Sequence, residues 1–148
     1  MVIQTLKSLF ARDLTKLRLE ISLYKTESNI WKVDKMIANS AGNLCLHLVG
    51  NLNTYIGKEI GGTGYVRDRD AEFSLKNIPK SELLDKVDKT LRVVDLSLDK
   101  LSPSDLQKQY PVVVLPEATT TEFFLIHLAT HLTYHLGQVN YHRRLLDV

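Results

Sequence analysis

The sequence predicts an all-α protein, a four-helix bundle that occupies residues 1–148 as one domain. Three observations lead there. Apolar residues recur at alternating spacings of three and four along four long stretches, the signature of helices that face a common core. A connection of 19 residues, 59–77, separates the second stretch from the third, where an antiparallel hairpin would need only a few. The one β-like run, Val112-Val113-Val114-Leu115, has no partner strand with which to build a sheet.

The first helix is predicted over residues 2–28, with Ile3, Leu6, Phe10, Leu14, Leu17, Ile21 and Tyr24 on one apolar face. Asp13 falls inside that face. It reads either as a carboxylate at the edge of the stripe, the favoured reading, or as a partner for a metal-bound imidazole. Residues 29–39, with Trp31, read as a connecting loop. Ser40 then caps a second helix that runs to about residue 58. Leu44, Leu48, Asn51, Leu52 and Tyr55 mark its inner side, with His47 beside them. His47 and Asn51 lie one turn apart and project into the same region, whereas Cys45 points about 160° away from His47.

Residues 59–77 hold three glycines after Glu59 and a dense set of charges, the composition of a long polar connection. Nineteen residues suffice to travel back along a helix of similar length, roughly 28 Å, so the segment reads as a crossover that links parallel helices. Arg67 and Arg69 within it either recognise an anionic substrate or are solvated and paired with Asp68, Asp70 and Glu72; pairing is favoured. A third helix over residues 79–100 presents Leu84, Val87, Leu91, Val94 and Leu98, followed by Leu101, as a wholly apolar face that brings no ligand. Residues 102–118 contain Pro103, Pro111 and Pro116 around a short helical turn near 104–107.

The last helix, residues 119–148, opens at Thr119 with Glu122 three residues on, a capping-box pattern. Along it Phe124, Leu128, His131, His135, Gln138, His142 and Leu145 occupy the inward stripe. An unpaired buried imidazole or amide costs roughly 1–3 kcal/mol, so four polar residues on this stripe need compensation, and a bound metal ion is the simplest source. Residues four apart on a helix lie about 6 Å apart along the axis and converge on one ion. One ion therefore takes either His127 with His131 or His131 with His135, while His142 lies too far along the helix to share it. Zinc-type catalytic sites take three protein ligands, and His47 is the only histidine outside this helix. Three imidazoles suit zinc, nickel or ferrous iron. Free imidazole titrates near about 6.5, so metal affinity is expected to fall below neutral pH.

Composition narrows the classes. With 19 basic and 17 acidic side chains well interspersed, the net charge of +2 provides no footprint for nucleic acid. No stretch is apolar enough to span a membrane, and Lys7, Arg12 and Asp13 interrupt any signal-peptide core. A single cysteine, Cys45, excludes an internal disulfide and fits a reducing, cytoplasmic setting.

L-H-L-V-G-N-L at 46–52 and H-L-A-T-H-L-T-Y-H-L-G-Q at 127–138 resemble the DinB/YfiT-like superfamily of four-helix metalloproteins. N-S-A-G-N-L-C-L-H-L, Y-V-R-D-R-D-A-E-F and Y-H-L-G-Q-V-N-Y-H-R-R are similar to an uncharacterised bacterial branch of it. The resemblance implies an up-down-down-up bundle, often homodimeric, whose metal ligands fall on His47, His131 and His135, the helical pair preceding Gly137-Gln138. His127 then sits one turn outside the ligand set, with Asn51, Gln138, Arg67 and Arg69 as further candidates for the pocket. It also implies a thiol-dependent transferase that uses the metal and a low-molecular-weight thiol cosubstrate on an unidentified small molecule. A hydrolase-like activity, a non-catalytic, metal-stabilised bundle with a structural or interaction role, and a histidine-rich core without metal are the other readings.

Overall fold

The computed structural model describes residues 1–148 and is all-helical. Six α-helices follow in order: α1 (Val2–Ser22), α2 (Ala41–Leu52), α3 (Arg69–Ser74), α4 (Lys80–Leu98), α5 (Pro103–Gln107) and α6 (Thr121–Leu146). A 3-10 turn at Glu27–Trp31 precedes α2, and a π-helical segment, Asn53–Lys58, continues it. None of the helices is long and apolar enough to cross a membrane.

Helices α1, α2, α4 and α6 contribute most of the buried core, and side-chain pairs record how they lie. Lys7 and Arg18 of α1 reach Asp95 and Asp88 of α4, so α1 and α4 run in opposite directions. Asp13 and Glu20 of α1 meet Thr133 and Arg143 of α6, which runs the same way as α1. His47 and Tyr55 pack on His131 and Phe124, opposing α2 to α6. Asn53 donates to Thr90, and Lys100 to the Gly61 carbonyl, so α2 and α4 share a direction.

All twelve residues of α2 are buried. A helix buried on every side needs cover on the face its long neighbours leave open. The predicted loop supplies it, because α3 lies within residues 59–77 and packs on α2. Asp68 caps α3 by accepting from the Ala71 amide at 3.0 Å. Asn43 then fastens it down, donating to the carbonyls of Glu72 and Leu75 at 2.9 Å each. Ser40, whose hydroxyl accepts from the Asn43 amide, both caps α2 and holds the Asn43 side-chain oxygen at 2.7 Å.

Two boundaries and one helix face differ from the sequence reading. The first helix ends at Ser22 instead of residue 28, because the Asp147 carboxylate accepts from the Lys25 and Thr26 amides at 2.6 and 3.2 Å and draws that strand of chain to the C-terminus. Tyr24 is buried nonetheless. The last helix is capped by Thr120, whose hydroxyl accepts from the Phe123 amide at 3.1 Å. Thr119 instead accepts from the Tyr110 amide in the bridge between Gln109 and Thr120, and Glu122 accepts from Gln107. The inner face of α4 is not wholly apolar: Thr90 and Ser97 are buried, with Thr90 accepting from Asn53 and donating to the Lys86 carbonyl. The valines 112–114 are exposed and form no strand.

His142 is a core residue. Its Nε2–H donates to the Lys32 carbonyl at 2.8 Å and its Nδ1 accepts from the Tyr24 hydroxyl at 2.7 Å, while burial lowers its pKa and keeps the ring neutral. His142→Ala leaves a tyrosine hydroxyl and a carbonyl without partners and opens a cavity, at a cost of about 2–4 kcal/mol. Urea unfolding should show that loss with metal affinity intact; an unchanged midpoint would contradict this assignment.

Candidate metal centre

Three imidazoles converge between α2 and α6. His131 Nε2 lies 3.3 Å from His47 Nε2 and 3.1 Å from His135 Nε2. One nitrogen from each of the three lies within 4.8 Å of the others, so the group could hold a metal ion. His131 and His135 occupy successive turns of α6, and their rings meet edge to face with centroids 4.5 Å apart. His47 comes from α2, 84 residues from His131 in sequence.

The outward nitrogens decide which way the lone pairs point. His47 Nδ1 is 3.1 Å from Glu72 Oε1, and a carboxylate accepts, so Nδ1–H donates. His135 Nδ1 donates in the same way to Gln138 Oε1 at 2.6 Å. Both rings therefore turn an Nε2 lone pair toward His131. Neutral His131 has one N–H and cannot satisfy both neighbours, and its buried Nδ1 has no partner. A cation accepts all three lone pairs at once. The donor set fits a divalent ion on this ground alone.

Protonation is disfavoured here. Burial, followed by repulsion from His135 and His47, pushes the His131 pKa down to about 4. Burial lowers that of His47 too, against the opposite pull of Glu72. The expectation of affinity lost just below neutral pH is thereby moved to more acidic conditions, because these two rings shed their protons early in the folded chain.

Glu72 is the residue that the sequence reading left outside the site. It is buried and takes Arg67 in a two-point pair, Nε to Oε2 at 2.8 Å and Nη2 to Oε1 at 2.9 Å, while its Oε1 holds His47. Arg67 is thus paired, with Glu72 among the partners foreseen, and its Nη2 also approaches His47 Nδ1 at 3.4 Å. A signal existed in Gly50, a glycine inside a helix, which costs about 1 kcal/mol against alanine and asks for a reason. A Cβ there would sit 1.9 Å from Glu72 Oε2. The glycine makes room for the carboxylate one turn from His47.

The other candidates distribute around this centre. Asn51 is buried with its Oδ1 unpartnered, and lines a cavity of about 210 Å³ together with His47, His131, His127, Arg67 and Arg69. His127 stacks between Phe124 and His131 at centroid distances of 5.8 and 6.4 Å, outside the converging three. Arg69 is exposed, with its guanidinium over the Phe73 ring at 5.5 Å. A larger cavity, about 490 Å³, borders His135 and Gln138 and includes Leu44, Tyr134 and Tyr141. Asp13 serves no imidazole; it accepts from Arg12 and from Thr133, as a stripe-edge carboxylate does. Cys45 is buried away from the centre, its thiol pushed up to about 12 by burial.

Two predictions follow from this geometry. Alanine at His47, His131 or His135 should abolish high-affinity metal uptake, and alanine at His127 should weaken it only mildly. Glu72→Gln and Gly50→Ala, which disturb the hydrogen bond to His47, should each cost about 10–100-fold in affinity; calorimetric titration that finds Glu72→Gln unchanged would exclude the positioning role. The second concerns pH. His131 binds its proton near 6.5 unfolded and near 4 folded, so metal-free stability is full above the higher value and falls as pH drops from about 6.5 to about 4. Melts at pH 8 and 5.5 should show the metal-free protein weakened at pH 5.5 and the metal-induced shift largely retained. A metal-free Tm that is equal or higher at pH 5.5 contradicts the assignment.

Comparison with known proteins places this arrangement in a family without assigning it a reaction. No curated protein matches the chain. Residues 2–147 match the family described as "Protein of unknown function (DUF1572)". The match includes His47, Glu72, His131 and His135 and spans all six helices, and on that basis the chain belongs to the DUF1572 family.

Proposed function

We propose that this protein binds one divalent transition metal ion, zinc, nickel or ferrous iron, through His47, His131 and His135, and works as a metal-dependent transferase on a small molecule with a low-molecular-weight thiol as cosubstrate. The observation that carries the metal reading is the convergence of three imidazole nitrogens, two of them fixed as lone-pair donors by Glu72 and Gln138. Placement in the DinB/YfiT-like superfamily rests on the His47 and His131/His135 motifs. The helix pairings support its up-down-down-up order: α1 opposes α4, α2 opposes α6, and α2 and α4 run together.

When bound, such an ion polarises a ligand and lowers the pKa of a water or thiol. The chain's own residues do the rest. Glu72 and Gln138 hold two rings in register, and Arg67 neutralises Glu72 so that the carboxylate stays buried. Phe73 packs on the His47 ring, and Phe124 stacks on His127 beside the centre. Cavities on both the His131 and the His135 sides give two molecules access, which favours group transfer between a thiol and a second substrate.

A non-catalytic role is the competing reading. The three histidines tie α2 to α6 across 84 residues, and a metal bound there would stabilise the native state by about 2.7 kcal/mol at a hundredfold excess over Kd. A cytoplasmic homodimer completes the proposal; exposed Phe123 and Ile126 on α6, outside both cavities, are the surface that supports self-association.

Protein purified without a histidine tag should contain about one such ion per chain. Cobalt-loaded protein should change its visible spectrum on addition of cysteine or glutathione, and His135→Ala should remove the change. Tag-free protein that takes up no metal refutes the proposal at its base; metal uptake without any spectral response to thiol leaves the structural role.

A further inference from the structure

The larger cavity, about 490 Å³, lies between the chain that leads into α2 and the second half of α6, and the metal centre touches it only at His135 and Gln138. Its volume falls within the roughly 300–1,000 Å³ of small-molecule sites. Met36 and Ile37 line it from one segment, Tyr134, Tyr141 and Leu145 from the other, and all are exposed. On α6 the three share a face, since steps of seven and four residues return to the same side of a helix. Large apolar side chains from segments distant in sequence are thus left uncovered and gathered around one cavity. Such clustering, unlike single apolar residues scattered over a surface, marks a binding site.

These walls carry no charge. No aspartate, glutamate, lysine or arginine lines the cavity, and an ion that left water to enter it would find no counter-charge. Cysteine and glutathione bear carboxylate and ammonium groups, so the thiol cosubstrate does not suit it. Among the polar side chains present, His142 already has Tyr24 and Lys32 at its two nitrogens. Gln138 has donors to spare: its side-chain oxygen accepts from His135 Nδ1 at 2.6 Å, while its amide nitrogen makes no hydrogen bond within the protein. An amide donor on uncharged, largely apolar walls describes its complement, an apolar molecule with a neutral acceptor. We infer that this cavity takes the second substrate, a neutral, largely apolar molecule whose carbonyl oxygen accepts from the Gln138 amide. The inference names a substrate class for the transferase proposed above and rests on that reading for its role in turnover, though not for binding.

Three aromatic probes of nearly equal size separate the elements. Acetophenone has the ring and the carbonyl, ethylbenzene lacks the oxygen, and benzoate adds the charge. Methyl NMR titration of the tag-free full chain, metal-free and zinc-loaded, should show acetophenone shifting Ile37, Leu44 and Leu145 and binding at least tenfold more tightly than benzoate. Leu145→Lys places a cation on the wall and should narrow that gap; Leu145 is exposed near the end of α6, so the variant should keep the wild-type circular dichroism. Gln138→Glu keeps an acceptor for His135 and removes the N–H donors, so it should weaken acetophenone at least fivefold more than ethylbenzene. Benzoate bound as tightly as acetophenone, or acetophenone that leaves these methyl signals unmoved, overturns the inference. So does a dimer on sedimentation that Leu145→Lys dissociates and whose cavity signals ignore all three probes, because a second copy then covers the cavity. An unchanged acetophenone-to-ethylbenzene ratio in Gln138→Glu overturns the carbonyl assignment. Zinc content of the same samples reports separately on the metal reading. Zinc-loaded protein that ignores acetophenone keeps the metal and loses this inference; protein that takes up no zinc yet selects acetophenone over benzoate keeps the cavity and loses the metal.

Discussion

Three imidazole nitrogens face one another across the seam between α2 and α6, and too few protons are available among them to satisfy the contact. Glu72 and Gln138 assign the protons of His47 and His135 to the far side of each ring. His131, half-buried between them, is held away from protonation. Protein interiors tolerate polar groups when each finds a partner, and here the partners that face inward are all acceptors. The surrounding structure keeps this arrangement in place: a buried core on both helices that includes Leu48, Leu128 and Leu132, and a carboxylate–guanidinium pair beside His47.

That pair explains why the long crossover is built as it is. A buried carboxylate without a counter-charge is costly, and removing one partner of a buried pair costs about 3–5 kcal/mol. Glu72 therefore arrives with Arg67 from the same segment, five residues apart, and the first turn of α3, which carries Glu72, sets the spacing. Asn43 anchors α3 through two carbonyls, and Gly50 leaves the volume that the Glu72 carboxylate fills. One connection thus closes the exposed face of α2, brings His47 its hydrogen-bond acceptor and delivers Arg69 to the neighbouring cavity. Its length was dictated by topology; its content serves the site.

The histidines divide by environment more than by type. His142 and His131 share the same stripe of α6, and burial lowers the pKa of each. His142 has a hydroxyl and a carbonyl at its two nitrogens and is complete. His131 has lone pairs on one side and nothing on the other. The same sequence pattern therefore contains a finished core residue and an unfinished centre.

Periodicity alone determined the helical class, the four long helices, most of the buried face of α1 and the polar stripe of α6, since a 3.6-residue repeat converts spacing directly into a face. Helix spacing also restricted His131 to one neighbour four residues away and left His47 as the distant partner. Contacts made after the helices pack decided the rest. Only tertiary structure ended α1 at Ser22, because Asp147 from the other end of the chain captures the next amides. It moved the cap of α6 to Thr120, because the bridge to Gln109 holds Thr119 extended. It also turned a charged loop into the helix that carries Glu72, because α2 had a face to cover and Asn43 had two carbonyls to bind. Local sequence encodes which face a residue takes; which partner waits there depends on segments tens of residues away, and that information exists only once the chain has closed on itself.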